Sequence, residues 1–543
     1  MTAAADPILF TNGKLFNAVK KDNEPVFHDW MLVENGLIKD IGLSSDERFQ
    51  QIQSSGISAQ DLDHRTVLPG FIDGHMHLLM LGQSLRKLDL WGCEDFDDIR
   101  ARIKQYVADN PDMPRILCKS WMNFMSDGKA LASMLDDLTD KPIFIDSRDL
   151  HSVWCNTAGL KDLGVDAMEV PPGGVVERDA DGKPSGLVGE ACVLTHVWPH
   201  LARVASMEEK TGALKAAIDT YTEAGYTGVV DMAMDENAWE AILALFKEEP
   251  NTPMRVSAYW FMAPTDDVDN AYKQIEKAVQ MAKEFDTVNS PKARILGIKI
   301  ILDGVIDACR AAVSQPYTST GELPDALWKP QVVSAMVKKA DAEGIQCAIH
   351  AIGDYAITMA INAIEQGGTP GKRHRIEHLE LSSPEDAKRL GKLGITASIQ
   401  PVHSDPAILR AWPSILGPER LKRAFAYREF WEHGALLAIG TDTPTAPHLP
   451  FPNLYVGTTR KSAKEPTWDV AAVNPNFILD AYDAIAGATA GVAYSTHSEH
   501  IVGSLKPGRA ADFVVVDLKY DQPESFINTR GVQTWFEGRK VFG

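Results

Sequence analysis

The stretch "QVVSAMVKKADAEGIQCAIHAIGD", residues 331–354, decides the fold. Its first half carries apolar side chains at helical spacing, and Gly344 punctuates their end. Residues 345–353 then form a short apolar run closed by Gly353, the pattern of a strand buried on both faces. A helix followed at once by such a strand is the repeating unit of a parallel sheet.

The unit recurs on both sides. Strand candidates upstream are "VLPGFIDGHMH" (67–77), "TGVVDMAM" (227–234), "RVSAYWFM" (255–262) and "GIKIILDG" (297–304). Downstream come "HRIEHLEL" (374–381), "ITASIQP" (395–401) and "LLAIGTD" (436–442), with helical patterns such as "SPEDAKRLGKLG" (383–394) between most of them. Counting residues 345–353, eight strands alternate with helices, which predicts an α/β fold of the (β/α)8 TIM-barrel type.

The two ends read differently. "ILFTNGKLF" (8–16) and "DWMLVENGLIKDIG" (29–42) are short strands around Asn-Gly turn signals, and "DFVVVDL" (512–518) and "VQTWFEGRKVF" (532–542) look alike at the other end. Each end is short for a core of its own. Residues 1–63 and 498–543 are therefore expected to build one composite β-sandwich domain, and 64–497 the barrel. Residues of about 93–205 fit the strand count poorly. They hold a strand-like run, "KPIFIDSRDLHSV" (141–153), and the Pro/Gly-rich "PPGGVVERDADGKPSG" (171–186), and read as an insertion after the first barrel strand.

At 543 residues and 45% hydrophobic, the chain can bury a large core. Its formal charge of −20 is poorly suited to nucleic acid or anionic lipid. Six sparse cysteines, none at CxxC spacing, fit a reducing compartment. No basic region precedes an apolar run at the start, and no stretch is apolar enough to span a membrane. A cytosolic protein is expected, acting on a small molecule, with homodimerisation left open.

A barrel keeps its active site at the C-terminal ends of its strands. There the sequence places His75 and His77, then Lys299, His350, His378 and Asp442. Residues i and i+2 of a strand share a face, so His75 and His77 can bind one cation from the same wall. That pair alone is weak, since 15 histidines in this length give about 0.4 such pairs by chance. Singly, His350 and His378 also read as core histidines, and Asp442 as a turn cap. Together they put four imidazoles and a carboxylate at one end of one barrel, a donor set suited to zinc or a related divalent ion.

Lys299 is flanked by Ile298 and Ile300, which should face the outer helices, so the lysine should point inward. Beside bound cations its amine becomes neutral and nucleophilic. Such an amine can add CO2 to give a carbamate, a carboxylate on a long arm able to bridge two ions.

"VLPGFIDGHMH", the lysine of the fourth strand, "HAIGD" (350–354), "IEH" (376–378), "GTDTP" (440–444) and "GSLKPGRAADFVVVD" (503–517) together resemble the amidohydrolase superfamily. With "DLHSVWCNTAGL" (149–160) and "SIQPVH" (398–403) they resemble its YtcJ-like branch, which includes N-substituted formamide deformylases. The resemblance spans nearly the whole chain. It implies that His75, His77 and Asp442 bind one ion, His350 and His378 the other, and carboxylated Lys299 bridges them, with one or two ions bound. It also implies cleavage of a carbon–nitrogen bond by metal-activated hydroxide, with Asp442 carrying the proton. After "KIILDG" the chain reads "VIDACRAAV" (305–313) where many relatives are Ser/Gly-rich, which marks Asp303 as the mouth of the pocket.

For the substrate itself, His151, Trp154, Asp303 and His403 are the candidates, with Trp91, Trp121 and Glu190 near the insertion. Alternatives on the same scaffold are ring opening of a cyclic amide or lactone, decarboxylation, or a non-catalytic interaction protein.

Overall fold

The computed structural model describes residues 6–21, 24–148, 151–171, 174–190, 192–469, 471–519 and 522–543. Eight parallel strands form one sheet in chain order: β1 (Phe71–Met76), β2 (Tyr226–Met234), β3 (Arg255–Phe261), β4 (Ala293–Ile301), β5 (Gln346–Ala351), β6 (Arg375–His378), β7 (Thr396–Ile399) and β8 (Leu436–Ile439). Just past β8 the chain meets β1 again. Asp442 N donates to the His75 carbonyl, His77 N to the Thr443 carbonyl, and Met76 bridges Thr443. This is the (β/α)8 barrel that the sequence predicts.

The helices follow the sequence pattern. Pro330–Ala342 buries Val332, Val333, Met336, Val337 and Ala340, one stripe of the quoted stretch. Pro384–Leu393 is capped by Ser383, whose hydroxyl accepts from Asp386 N, and ends at Gly394 in the left-handed region. Ile298, Ile300, Ile349 and Ile376 are fully buried on the strands between.

Two expectations at the ends need correction. "VLPGFIDGHMH" is two strands, not one. Thr66–Pro69 pairs antiparallel with Phe513–Val516, and only after Gly70 does the chain enter β1. A side chain at Gly70 would collide with Thr227, so the crossing between sheets requires glycine there. "ILFTNGKLF" is not a hairpin either. Ile8–Thr11 belongs to a four-stranded sheet and Lys14–Lys21 to a six-stranded one. The Asn35-Gly36 turn does close a hairpin, with both residues at positive φ between Trp30–Glu34 and Leu37–Gly42. The two sheets share a core in which Phe10, Met31 and Val67 meet Phe513, Val515 and Trp535.

Contacts divide the chain into two compact units, one up to Leu78 together with Ile218–Gly543, the other Leu79–Ala217. The second unit thus starts earlier and ends later than about 93–205. It carries its own six-stranded sheet and apolar core. "KPIFIDSRDLHSV" is a hairpin there, Ile143–Ser147 against Ser152–Cys155, with residues 149 and 150 outside the described ones. Among the described residues no helix is long and apolar enough to cross a membrane.

Close approach of β4 and β5 sets the level of Lys299. Gly297 pairs with Gln346, and a Cβ on Gly297 would lie 1.9 Å from the Gln346 carbonyl oxygen. Gly297→Ala is expected to destabilise the barrel by about 1–3 kcal/mol, read as a lower denaturation midpoint. An unchanged midpoint would show that the two strands can part without cost.

Candidate active site

β1 and the residue that follows it alternate Asp73, His75 and His77 on one face. Asp73 is the base of the site. Its carboxylate accepts from His75 N, from Thr441 N and Oγ1, and from the Tyr221 hydroxyl, tying β1 to the segment after β8. Burial pushes its pKa up to about 6.

The two imidazoles above it are fixed from outside. His75 Nδ1 lies 2.7 Å from Glu377 Oε2, and His77 Nδ1 lies 2.7 Å from the Met232 carbonyl oxygen. Both partners are acceptors, so both Nδ1 atoms carry the proton, and in the neutral ring Nε2 keeps a lone pair, although at His77 the Asp442 hydrogen bond and charge outweigh burial and raise the pKa. The two Nε2 atoms each lie 3.4 Å from Asp442 Oδ1. Burial, and then the Lys299 charge, push His75 down to about 4, so its lone pair stays free near neutral pH.

The other strand ends bring the remaining residues to the same place. The His350 ring centroid is 4.3 Å from that of His378, and His378 is 4.9 Å from His75. Donor atoms of His75, His378 and Asp442 fall within 4.8 Å of one another. Burial holds His350 and His378 well below the usual imidazole range. Burial opposes the Asp442 charge, yet the imidazole surroundings hold its carboxyl well below the usual carboxylate range.

Lys299 is only 2% exposed and its Nζ has no hydrogen-bond partner. Its charge acts on His75, His350 and His378 alike and lowers the pKa of each. Burial pushes it down to about 8 despite the pull of Glu377 and Asp442. His350 Nε2 and His378 Nδ1 are also buried without a hydrogen bond, His350 Nε2 lying 3.6 Å from Asp303 Oδ1. Imidazole nitrogens, a carboxylate and the amine of Lys299 converge here with several of them unpartnered, and the imidazoles and carboxylate fit a divalent cation.

Backbone geometry serves the same end. Strict alternation along β6 would turn His378 away from the face that carries Arg375 and Glu377. A left-handed φ of 74° at His378 swings its ring back among the other imidazoles, and Asp442 sits at φ 62°. Such conformations cost about 1–3 kcal/mol each and mark functional positions.

The substrate candidates divide. His403 lies in the site, 3.6 Å from Asp442 Oδ2 and 3.4 Å from Glu380 Oε1. Asp303 is not at an open mouth. It is buried, and its carboxylate accepts from the backbone of Ala312, Ile352 and Gly353, pinning the loop after β4 to the end of β5. Trp154 is 0% exposed in the core of the second unit, with its indole nitrogen donating to the Leu131 carbonyl, so it packs rather than binds. Trp121 packs against it. His151 and Glu190 form an exposed pair in that unit, and Trp91 lies exposed under Arg148.

Sequence reading passed over Arg375, Glu377, Glu380 and Asp73. The signal was present in "RIEH": Arg375 and Glu377 are charged residues two apart in a short apolar strand, hence on one interior face.

A parallel barrel with these donors at its strand ends defines a class, the metal-dependent hydrolases. The profile of the amidohydrolase family matches residues 58–542, and the chain belongs to that family and is a hydrolase of its type. It is 28% identical to Protein LONG AFTER FAR-RED 3 of Arabidopsis thaliana, covering 98% of this chain and 91% of that one. It is also 28% identical to the putative amidohydrolase YtcJ of Bacillus subtilis, covering 89% and 90%. Identity to the N-substituted formamide deformylase of Arthrobacter pascens is 22%, over 90% and 89%. Among solved structures, an uncharacterised metal-dependent hydrolase of Pyrococcus horikoshii superposes with a TM-score of 0.78 at 22% identity, over 95% and 98% of the chains.

Glu377 keeps its charge in this interior because Arg375 pairs with it through Nε at 2.6 Å, both side chains being fully buried. Arg375→Met would strand that carboxylate. It is expected to cost about 3–5 kcal/mol, measured by chemical denaturation against the wild type.

Proposed function

We propose that the protein hydrolyses a carbon–nitrogen bond of a small, non-peptide amide, of N-formyl or N-acyl type, with zinc as the working ion. The observation that carries this reading is the buried, unpartnered Lys299 amine among His75, His350, His378 and Asp442. The printed name of the Arthrobacter relative, a deformylase of N-substituted formamides, supports the substrate class.

His75, His77 and Asp442 would hold one ion, His350 and His378 a second. A divalent ion at this place supplies Lewis-acid polarisation of a carbonyl and acidification of a water molecule. Lys299 contributes by carboxylation. Its neutral amine nitrogen would add to the carbon of CO2 and pass one N–H proton to water, which leaves a carbamate with one negative charge. A carbamate there would offer a further oxygen ligand beside His75, His350 and His378, in place of a buried amine.

Asp442 is the proton carrier. Its Oδ1 faces His75 and His77 and its Oδ2 faces His403. Held ionised, it accepts the proton that water releases on attacking the carbonyl carbon, then delivers it to the leaving nitrogen. Glu377 and the Met232 carbonyl keep the two β1 imidazoles in the tautomer that leaves Nε2 free. Six cysteines without a disulfide support a reducing compartment, the cytosol.

Lys299→Ala is expected to lower zinc content and amide turnover by about 100-fold or more. In the wild type, reloading of stripped protein should rise with added bicarbonate. Normal zinc content and full turnover in the variant would remove the carbamate from the reading. Asp442→Asn is expected to cut kcat by about 10²–10⁴-fold on a panel of N-formyl and N-acyl amides. A panel that the wild-type zinc protein leaves untouched would overturn the substrate class.

A further inference from the structure

One polar group at the barrel mouth has no role in the reaction described above. Ser398 of β7 faces the barrel interior, because its hydroxyl accepts from Arg375 Nη2 and its backbone pairs with Glu377. Gln400 is two residues on, hence on the same face and one step nearer the mouth. It is 1% exposed, and neither its Oε1 nor its Nε2 has a hydrogen-bond partner. Its backbone is held firmly, with the carbonyl accepting from the Tyr427 hydroxyl at 3.2 Å and from His403 N at 3.0 Å.

A buried amide with both polar atoms idle is costly, and a methionine of the same length would fill the space without that cost. A side chain kept at such a cost in an active-site wall is explained by a ligand that satisfies it. The neighbours extend that wall. His378, Glu380 and His403 offer donor atoms within 4.8 Å of one another, and His403 reaches on to Asp442.

The complement of a primary amide is a group that presents an N–H and a C=O side by side. We propose that Gln400 is a substrate-recognition residue, its Oε1 and Nε2 pairing with the cis N–H/C=O edge of a lactam, cyclic imide or urea-type ligand. This rests on the carbon–nitrogen reading of the site and shifts its substrate from an open-chain amide to one whose N–H and C=O are held cis. A substrate of this kind places its amide edge against β7 and so presents its carbonyl to Asp442 in one orientation. An N-methylated analogue has no proton for Gln400 Oε1 and leaves that oxygen buried and unpaired.

The test uses the full-length zinc-loaded protein, with δ-valerolactam and N-methyl-δ-valerolactam as probes and binding read by calorimetry. The wild type is expected to bind the lactam about tenfold more tightly than its N-methyl analogue. Gln400→Met should erase that ratio while its melting temperature stays level or rises. A wild type with no preference, or a variant that keeps the preference, overturns the assignment. So does a clear drop in melting temperature, since it would show that the amide is a structural hydrogen-bonding group. Binding is read apart from turnover. A Gln400-dependent preference in a protein that hydrolyses no amide of the panel supports the subsite and removes only the hydrolytic reading. Turnover of the panel with no Gln400-dependent preference does the reverse.

Discussion

Everything at this site hangs on a buried ion pair. The Arg375 guanidinium donates to both oxygens of Glu377, to the Gly74 carbonyl and to Ser398 Oγ, so one cation fastens β6 to β1 and to β7. Burying two charges is expensive unless every donor and acceptor is used. Here the remaining capacity of Glu377 goes to His75 Nδ1, and the cost of burial is turned into the orientation of a ligand. Arg375, and then His75 and Lys299, hold Glu377 ionised against its burial.

From that pair the order of the site follows outward. Glu377 sets the tautomer of His75, the Met232 carbonyl sets that of His77, and Asp73 sews the barrel shut beneath both through Thr441. Asp442 then stands where both Nε2 lone pairs point. The strain at His378 and Asp442 is tolerated because the surrounding backbone leaves no alternative. Leu379 N donates to the Ala351 carbonyl and Asp442 N to the His75 carbonyl. His75, His378 and Asp442 thereby bring their donor atoms to one point, an arrangement that fits a cation.

Much of the barrel is legible locally. The alternation of residues 331–354, the apolar strands and the glycine stops are consequences of burial, which acts residue by residue. The errors fall where distant pairing decides. "VLPGFIDGHMH" reads as one strand from its pattern alone, yet it splits between two sheets because Phe513–Val516, far along the chain, claims its first half. "ILFTNGKLF" has a hairpin's turn residues, yet its halves pair with other strands. Trp154 and Asp303 carry chemistry that suits a pocket. Tertiary packing assigns the first to a core and the second to three backbone amides.

By itself, then, the sequence determined the alternating strands and helices, the residues at their C-terminal ends and the oddity of Lys299. These follow from hydrophobic period and from the rarity of charge in apolar strands. Only the tertiary structure decided which nitrogens face inward, that Arg375 and Glu377 underpin His75, that His378 turns back into the site, and that Gln400 stands idle in its wall. Those are matters of closure and desolvation. They exist only when strands separated by hundreds of residues in the chain are brought to one point from which water is excluded.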